Sequence, residues 1–99
     1  MAPDGSRYFL WPGKPLLIGR EPDTQNRIVI YTDPLVSRQH ARITVDKART
    51  KVEDLNSFNG TIVNGQRIHE AWLYNGDTIT VGRTELRFYL PPTIPVPRK

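Results

Sequence analysis

Three polar clusters stand apart in this 99-residue sequence: Gly19-Arg20, Ser37-Arg38-Gln39-His40, and Asn56-Ser57-Phe58-Asn59-Gly60-Thr61 running on to Val63-Asn64-Gly65. Each is read as a loop that follows a strand. The first two hold the groups that bind a compact oxyanion. A phosphorylated side chain carries about −1.5 to −2 charge and three acceptor oxygens, so its receptor must converge a guanidinium, hydroxyls and backbone N–H groups. Arg20, Ser37 and Arg38 supply these types.

Other chemistries lack their parts. Catalysis needs a nucleophile or acid–base pair with an activating partner, and His40 and His69 stand far apart without motif context. There is no Gly-x-Ser-x-Gly and no phosphate-binding glycine-rich loop ending in lysine. The two histidines share no ligand spacing with each other or with paired carboxylates, and the chain has no cysteine, so neither a metal nor a cofactor is expected. The net charge of +4 arises from 14 basic and 10 acidic residues, and Arg98 and Lys99 contribute two of the positives. This suits an anionic ligand, but no Lys/Arg run marks a nucleic-acid arm. No apolar stretch approaches the roughly 20 residues of a membrane helix, and Met1-Ala2-Pro3-Asp4-Gly5 lacks the features of a secretory signal. A soluble intracellular protein, nuclear or cytoplasmic, is expected.

The elements that must position these clusters are strands. Ala41, Ile43 and Val45 alternate with Arg42, Thr44 and Asp46, and Leu86, Phe88 and Leu90 alternate with Arg87 and Tyr89. Shorter β-rich runs are Arg7–Trp11, Pro15–Ile18, Arg27–Ile30, Lys51–Glu53, Thr61–Val63 and Thr78–Val81. Asn-Gly occurs three times, at 59–60, 64–65 and 75–76, where both residue types tolerate the positive φ of tight hairpins. No amphipathic helix is evident, and the pattern predicts an all-β sandwich or barrel. Residues 1–90 form one domain; residues 91–99 hold four prolines and read as a linker or tail leading onward.

The ordered set, Gly19-Arg20, then Ser37-Arg38-Gln39-His40, then Asn59-Gly60-Thr61 with Asn64-Gly65, then Gly76-Asp77-Thr78-Ile79-Thr80-Val81-Gly82, resembles the signature of the forkhead-associated (FHA) family from about Leu16 to Phe88. The resemblance implies a β-sandwich of about eleven strands in two twisted sheets. It further implies that the loops gather at one end to read phosphothreonine in an extended peptide. By that likeness the Ser37 hydroxyl and N–H meet the phosphate with Arg38 beside it, and Arg20 contacts the phosphate or the adjoining peptide backbone. Asn59 holds the peptide main chain, and Asn64 is a second candidate amide for it. The residue about three positions after the phosphothreonine contributes specificity.

Phe58 departs from the pattern, because the family often places a small or polar residue before the recognition asparagine. A hydroxyl contact is thereby lost, while the Phe58 N–H remains a candidate phosphate donor. His40 is expected to fix loops by hydrogen bonding, and Gly19, Gly60, Gly65 and Gly82 to serve turns. Trp11, Trp72 and Phe88 are expected in packing.

The expected function is a phosphothreonine-dependent module, monomeric in isolation, that recruits its parent protein to kinase-phosphorylated partners. The alternative is a phosphate-independent FHA-like dimerisation or scaffold module. Trp11-Pro12-Gly13-Lys14 ahead of Gly19-Arg20 also resembles the start of nibrin-type DNA-repair proteins over these few residues.

Overall fold

A computed structural model describes residues 8–21, 26–47 and 49–89. Nine strands run through them: β1 Leu16–Gly19, β2 Asn26–Val29, β3 Ala41–Asp46, β4 Arg49–Asp54, β5 Thr61–Val63, β6 Gln66–Ile68, β7 Glu70–Leu73, β8 Thr78–Val81 and β9 Thr84–Arg87. They form a five-stranded sheet in the order β2-β1-β3-β4-β7 and a four-stranded sheet in the order β6-β5-β8-β9. The β1–β2 pair is parallel and every other described strand pair is antiparallel.

Period-two burial dictates how the sheets pack. In β3, Ala41 and Ile43 are buried while Arg42 and Thr44 are half-buried on the other side; in β8, buried Ile79 and Val81 alternate with half-buried Thr78 and Thr80. Ile18, Val36, Val52, Leu73, Leu86 and Phe88 complete much of the core. Each fully buried aliphatic side chain of this kind stabilises the fold by about 1.5–3 kcal/mol. At Asn64 and Gly65, φ is 50° and 85°, the left-handed pair that closes a two-residue hairpin between β5 and β6.

Among the described residues nine strands are seen, where about eleven were expected for the whole chain. β3, β5 and β8 keep the expected bounds, whereas the last strand spans Thr84–Arg87 and ends short of Phe88; Leu90 lies outside the described residues. In the Arg7–Trp11 run, Trp11 makes an isolated bridge to Lys14, and Arg7 lies outside the described residues. β6 and β7 were not anticipated. Both are sheet edges, with residues such as Gln66, Arg67 and Glu70 exposed, so the apolar alternation that betrays a half-buried strand is weak there. The 91–99 tail lies outside the described residues. Among the described residues, no helix is long and apolar enough to cross a membrane.

Candidate functional site

The end of β1, the 30–40 segment and the 55–60 loop are stitched into one apex. The Ile30 N–H donates to the Gly19 carbonyl at 2.8 Å, the Arg20 N–H to the Ser37 carbonyl at 2.9 Å, and the His40 N–H to the Ile18 carbonyl at 2.8 Å. The Leu55 N–H donates to the His40 carbonyl at 2.9 Å. Between the 30–40 segment and the 55–60 loop, the Phe58 N–H donates to Ser37 Oγ at 3.0 Å and Asn59 Nδ2 donates to the Leu35 carbonyl at 2.9 Å. Arg20, Ser37, Phe58 and Asn59 therefore come together from three separate loops. Arg20 is half-buried, and Arg38, next to Ser37, is exposed.

Ser37 is the junction. Its oxygen accepts one N–H, and a hydroxyl that accepts still has one proton to donate. The Phe58 N–H, expected on the phosphate, is spent on Ser37 instead. The Phe58 ring is 89% exposed.

His40 locks the apex from beneath. It is fully buried, its Nδ1 lies 3.0 Å from the Ser37 N–H, and its Nε2 lies 2.8 Å from the Gly60 carbonyl oxygen. An amide N–H only donates and a carbonyl only accepts, so both bonds exist together in the neutral ring protonated at Nε2. This is the loop-fixing arrangement expected of His40. Gly60 itself has φ of 86°. Gly19, expected at a turn, is instead the buried last residue of β1, paired with Val29.

Two aspartates that sequence reasoning left unassigned hold the loops rigid. Asp54 accepts from the Ser57 hydroxyl, from the Ser57 N–H at 3.1 Å and from the Thr61 hydroxyl at 2.8 Å, while Ser57 Oγ accepts the Gly60 N–H at 2.9 Å. Asp33 accepts from the Leu35 N–H at 3.0 Å, and from the Arg83 N–H and Thr84 hydroxyl at 2.7 Å each. This ties the 30–40 segment to the turn between β8 and β9. Burial by itself would raise both carboxyls. For Asp33 the Thr84 hydroxyl, the two N–H groups and the nearby Arg83 charge prevail; for Asp54 the Ser57 and Thr61 hydroxyls and the Ser57 N–H do so. Both acids end below the ordinary carboxylate range. An Asp three residues before a Ser is a local side-chain-to-backbone signal that marks the Asp54–Ser57 turn. Asp33 carries no such signal for its contact with residues fifty positions away.

Asn64 lies elsewhere. β5 carries it about 10 Å from the Thr61 end of the strand. There its Nδ2 donates to Asp77 at 2.9 Å and its Oδ1 accepts the Thr78 N–H at 2.9 Å. The amide expected to hold peptide instead closes the β5–β6 end of the sheet. Of the three aromatics expected in packing, Phe88 is in the core, Trp72 sits under the Arg49 guanidinium at 3.9 Å on edge strand β7, and Trp11 is exposed. Among the described residues, no cluster of three or more His, Cys, Asp or Glu side chains is placed to hold a metal ion.

A family model described as the FHA domain matches residues 16–82. Over 71 residues the chain is 42% identical to the ABC transporter ATP-binding/permease protein Rv1747 of Mycobacterium tuberculosis, covering 72% of this chain and 8% of that protein. Over 90 residues it is 33% identical to the glycogen accumulation regulator GarA of Mycolicibacterium smegmatis, covering 91% of this chain and 55% of that protein. A solved structure from a study of phosphothreonine-dependent FHA domain interactions superposes with a TM-score of 0.78 at 39% identity, covering 93% of this chain and 94% of that one. The chain thus spans little more than half the length of GarA and a small part of the transporter.

Proposed function

Since the chain belongs to the forkhead-associated family, whose model covers residues 16–82, we propose that it is a phosphothreonine-dependent peptide-binding module recruiting the protein that carries it to kinase-phosphorylated partners. The observation that carries this reading is Ser37, whose hydroxyl oxygen accepts the Phe58 N–H and whose backbone carbonyl accepts the Arg20 N–H, with Arg38 the next residue in the chain. A phosphate there receives a hydroxyl proton and guanidinium charge from loops already fixed by His40, Asp33 and Asp54. Each charge-assisted contact contributes about 1.5–3 kcal/mol, so two or three that survive desolvation give roughly micromolar affinity, near −8 kcal/mol. Asn59 holds the Leu35 carbonyl with one N–H and keeps its own carbonyl oxygen for a peptide N–H.

The role is recognition. No reaction, cofactor or metal is assigned to the chain.

The exposed Phe58 ring favours one second reading, a phosphate-independent contact between copies or with a scaffold partner. Light scattering before and after phosphatase treatment separates the two. A monomer that captures only phosphorylated peptide fits the reader, and self-association indifferent to phosphatase fits the rival.

A further inference from the structure

Edge strand β6 brings another arginine to the apex, outside the three loops. Arg67 pairs with Ile62 of β5, and because its neighbour Ile68 packs on the core, Arg67 lies on the opposite, exposed face. Its side chain runs along that face to Gly60, where a Cβ would collide with the Arg67 Cδ, Nε and Cζ atoms. The backbone under the guanidinium is held from two directions: the Gly60 carbonyl by His40 Nε2 and the Gly60 N–H by Ser57 Oγ. Asn59 immediately precedes Gly60, with its Cα about 3.8 Å away. Arg67 takes part in neither the Arg42–Glu53 nor the Lys51–Glu70 ion pair.

A surface arginine in ordinary solvent swings through many rotamers, and ordering it opposes binding. Here the planar end rests on a glycine with no side chain to displace it, on the flank of the loop that carries Asn59. The fork geometry matches a carboxylate or a phosphate through two parallel hydrogen bonds.

We propose that Arg67 is a specificity-determining residue that reads a second anion in the bound peptide, within a few residues of the phosphothreonine. The chemistry required is a planar or tetrahedral oxyanion, supplied by an Asp or Glu side chain or by a second phosphorylated residue. The inference rests on the phosphopeptide reading above and adds the class of ligand preferred.

The test uses the 99-residue chain and a phosphothreonine peptide that is uncharged elsewhere. Variants of the peptide place a single Glu, Lys or phosphoserine at each nearby position on either side of the phosphothreonine. Affinities are read by calorimetry as ratios to the uncharged peptide, which cancels any general loosening of the loop by a mutation. In the unaltered chain, one position responds to Glu with about two- to five-fold tighter binding, the range of an exposed ion pair. In Arg67→Gln that ratio falls to about one, and in Arg67→Glu the same position prefers Lys, because like charges repel. A response to Glu assigns the site to carboxylates, and a response to phosphoserine alone assigns it to a second phosphate. A ratio that persists in Arg67→Gln overturns the inference. So does an unaltered chain that binds the uncharged phosphopeptide and responds at no position. If it binds no phosphopeptide at all, the phosphopeptide reading fails and takes the inference with it.

Discussion

The Phe58 N–H donates to the Ser37 hydroxyl oxygen at 3.0 Å, across 21 residues of sequence. One bond joins the loop before β3 to the loop before β5 and anchors the serine oxygen. Ser37→Ala removes both the tether and the donor. Phosphopeptide affinity should fall at least about tenfold, since a hydrogen bond to a charged group is worth about 1.5–3 kcal/mol. Calorimetric titration measures it. Ser37→Thr, which keeps the hydroxyl, should retain more affinity than the alanine variant.

His40→Ala should act on stability first. It orphans the Ser37 N–H and the Gly60 carbonyl and leaves a hole in place of a ring with no exposed surface. Each buried unsatisfied group costs about 1–3 kcal/mol, so the loss is a large fraction of the stability of a domain this size. A denaturant titration should show a midpoint well below that of the unaltered chain. An unchanged midpoint would remove His40 from its place under the loops.

Acid should separate binding from folding. A phosphate monoester takes up a proton near pH 6, so affinity should decline between about pH 7 and 5 as the ligand loses charge. Asp33 and Asp54 have folded-state values held below those of the unfolded chain. Their stabilisation is therefore complete above the unfolded carboxylate range, about pH 4, and is lost as pH falls through the lower folded values. Thermal melting should be nearly flat where binding is already weakening, then drop below about pH 4. Asp33→Asn should reduce that drop. It also loses the charge that draws the Arg83 N–H and the Thr84 hydroxyl, and so starts from a lower melting temperature.

The two asparagines in Asn-Gly pairs near β5 should respond differently. Asn59→Ala removes the tie to Leu35 at the apex and should weaken phosphopeptide binding by roughly the worth of one or two neutral hydrogen bonds, about 0.5–1.5 kcal/mol each. Asn64→Ala removes the bonds to Asp77 and Thr78 at the far end of the sheet. It should lower the melting temperature and leave the dissociation constant within about twofold. A binding loss at Asn64 equal to that at Asn59 would return it to the peptide site.

Much of this was legible in the sequence, and the parts that were not share a cause. Period-two alternation gave β3 its bounds, because a strand covered on one face writes that pattern into its residues, and β-rich composition gave β5 and β8 theirs. Edge strands β6 and β7 write it weakly. The ordered short motifs picked out Arg20, Ser37, Asn59 and His40, yet they could not say where an amide's hydrogen bonds go. Asn59 and Asn64 look alike as Asn-Gly pairs; strand length and the position of Asp77 send them to opposite ends of the sheet. Asp33 and Arg67 were invisible for the same reason, since each acts through a contact that the three-dimensional pairing creates.

The most direct test of the central claim is calorimetry of the intact chain against a degenerate peptide library fixed at phosphothreonine. It is run beside the unphosphorylated and phosphoserine libraries and repeated with Arg20→Ala. The account predicts roughly micromolar binding that requires the phosphate, weakens for phosphoserine by the lost methyl burial of about 0.8 kcal/mol or more, and fails in Arg20→Ala while that variant stays folded. Equal binding of phosphorylated and unphosphorylated libraries, or none by a folded chain, would contradict it and leave the apex a phosphate-independent surface.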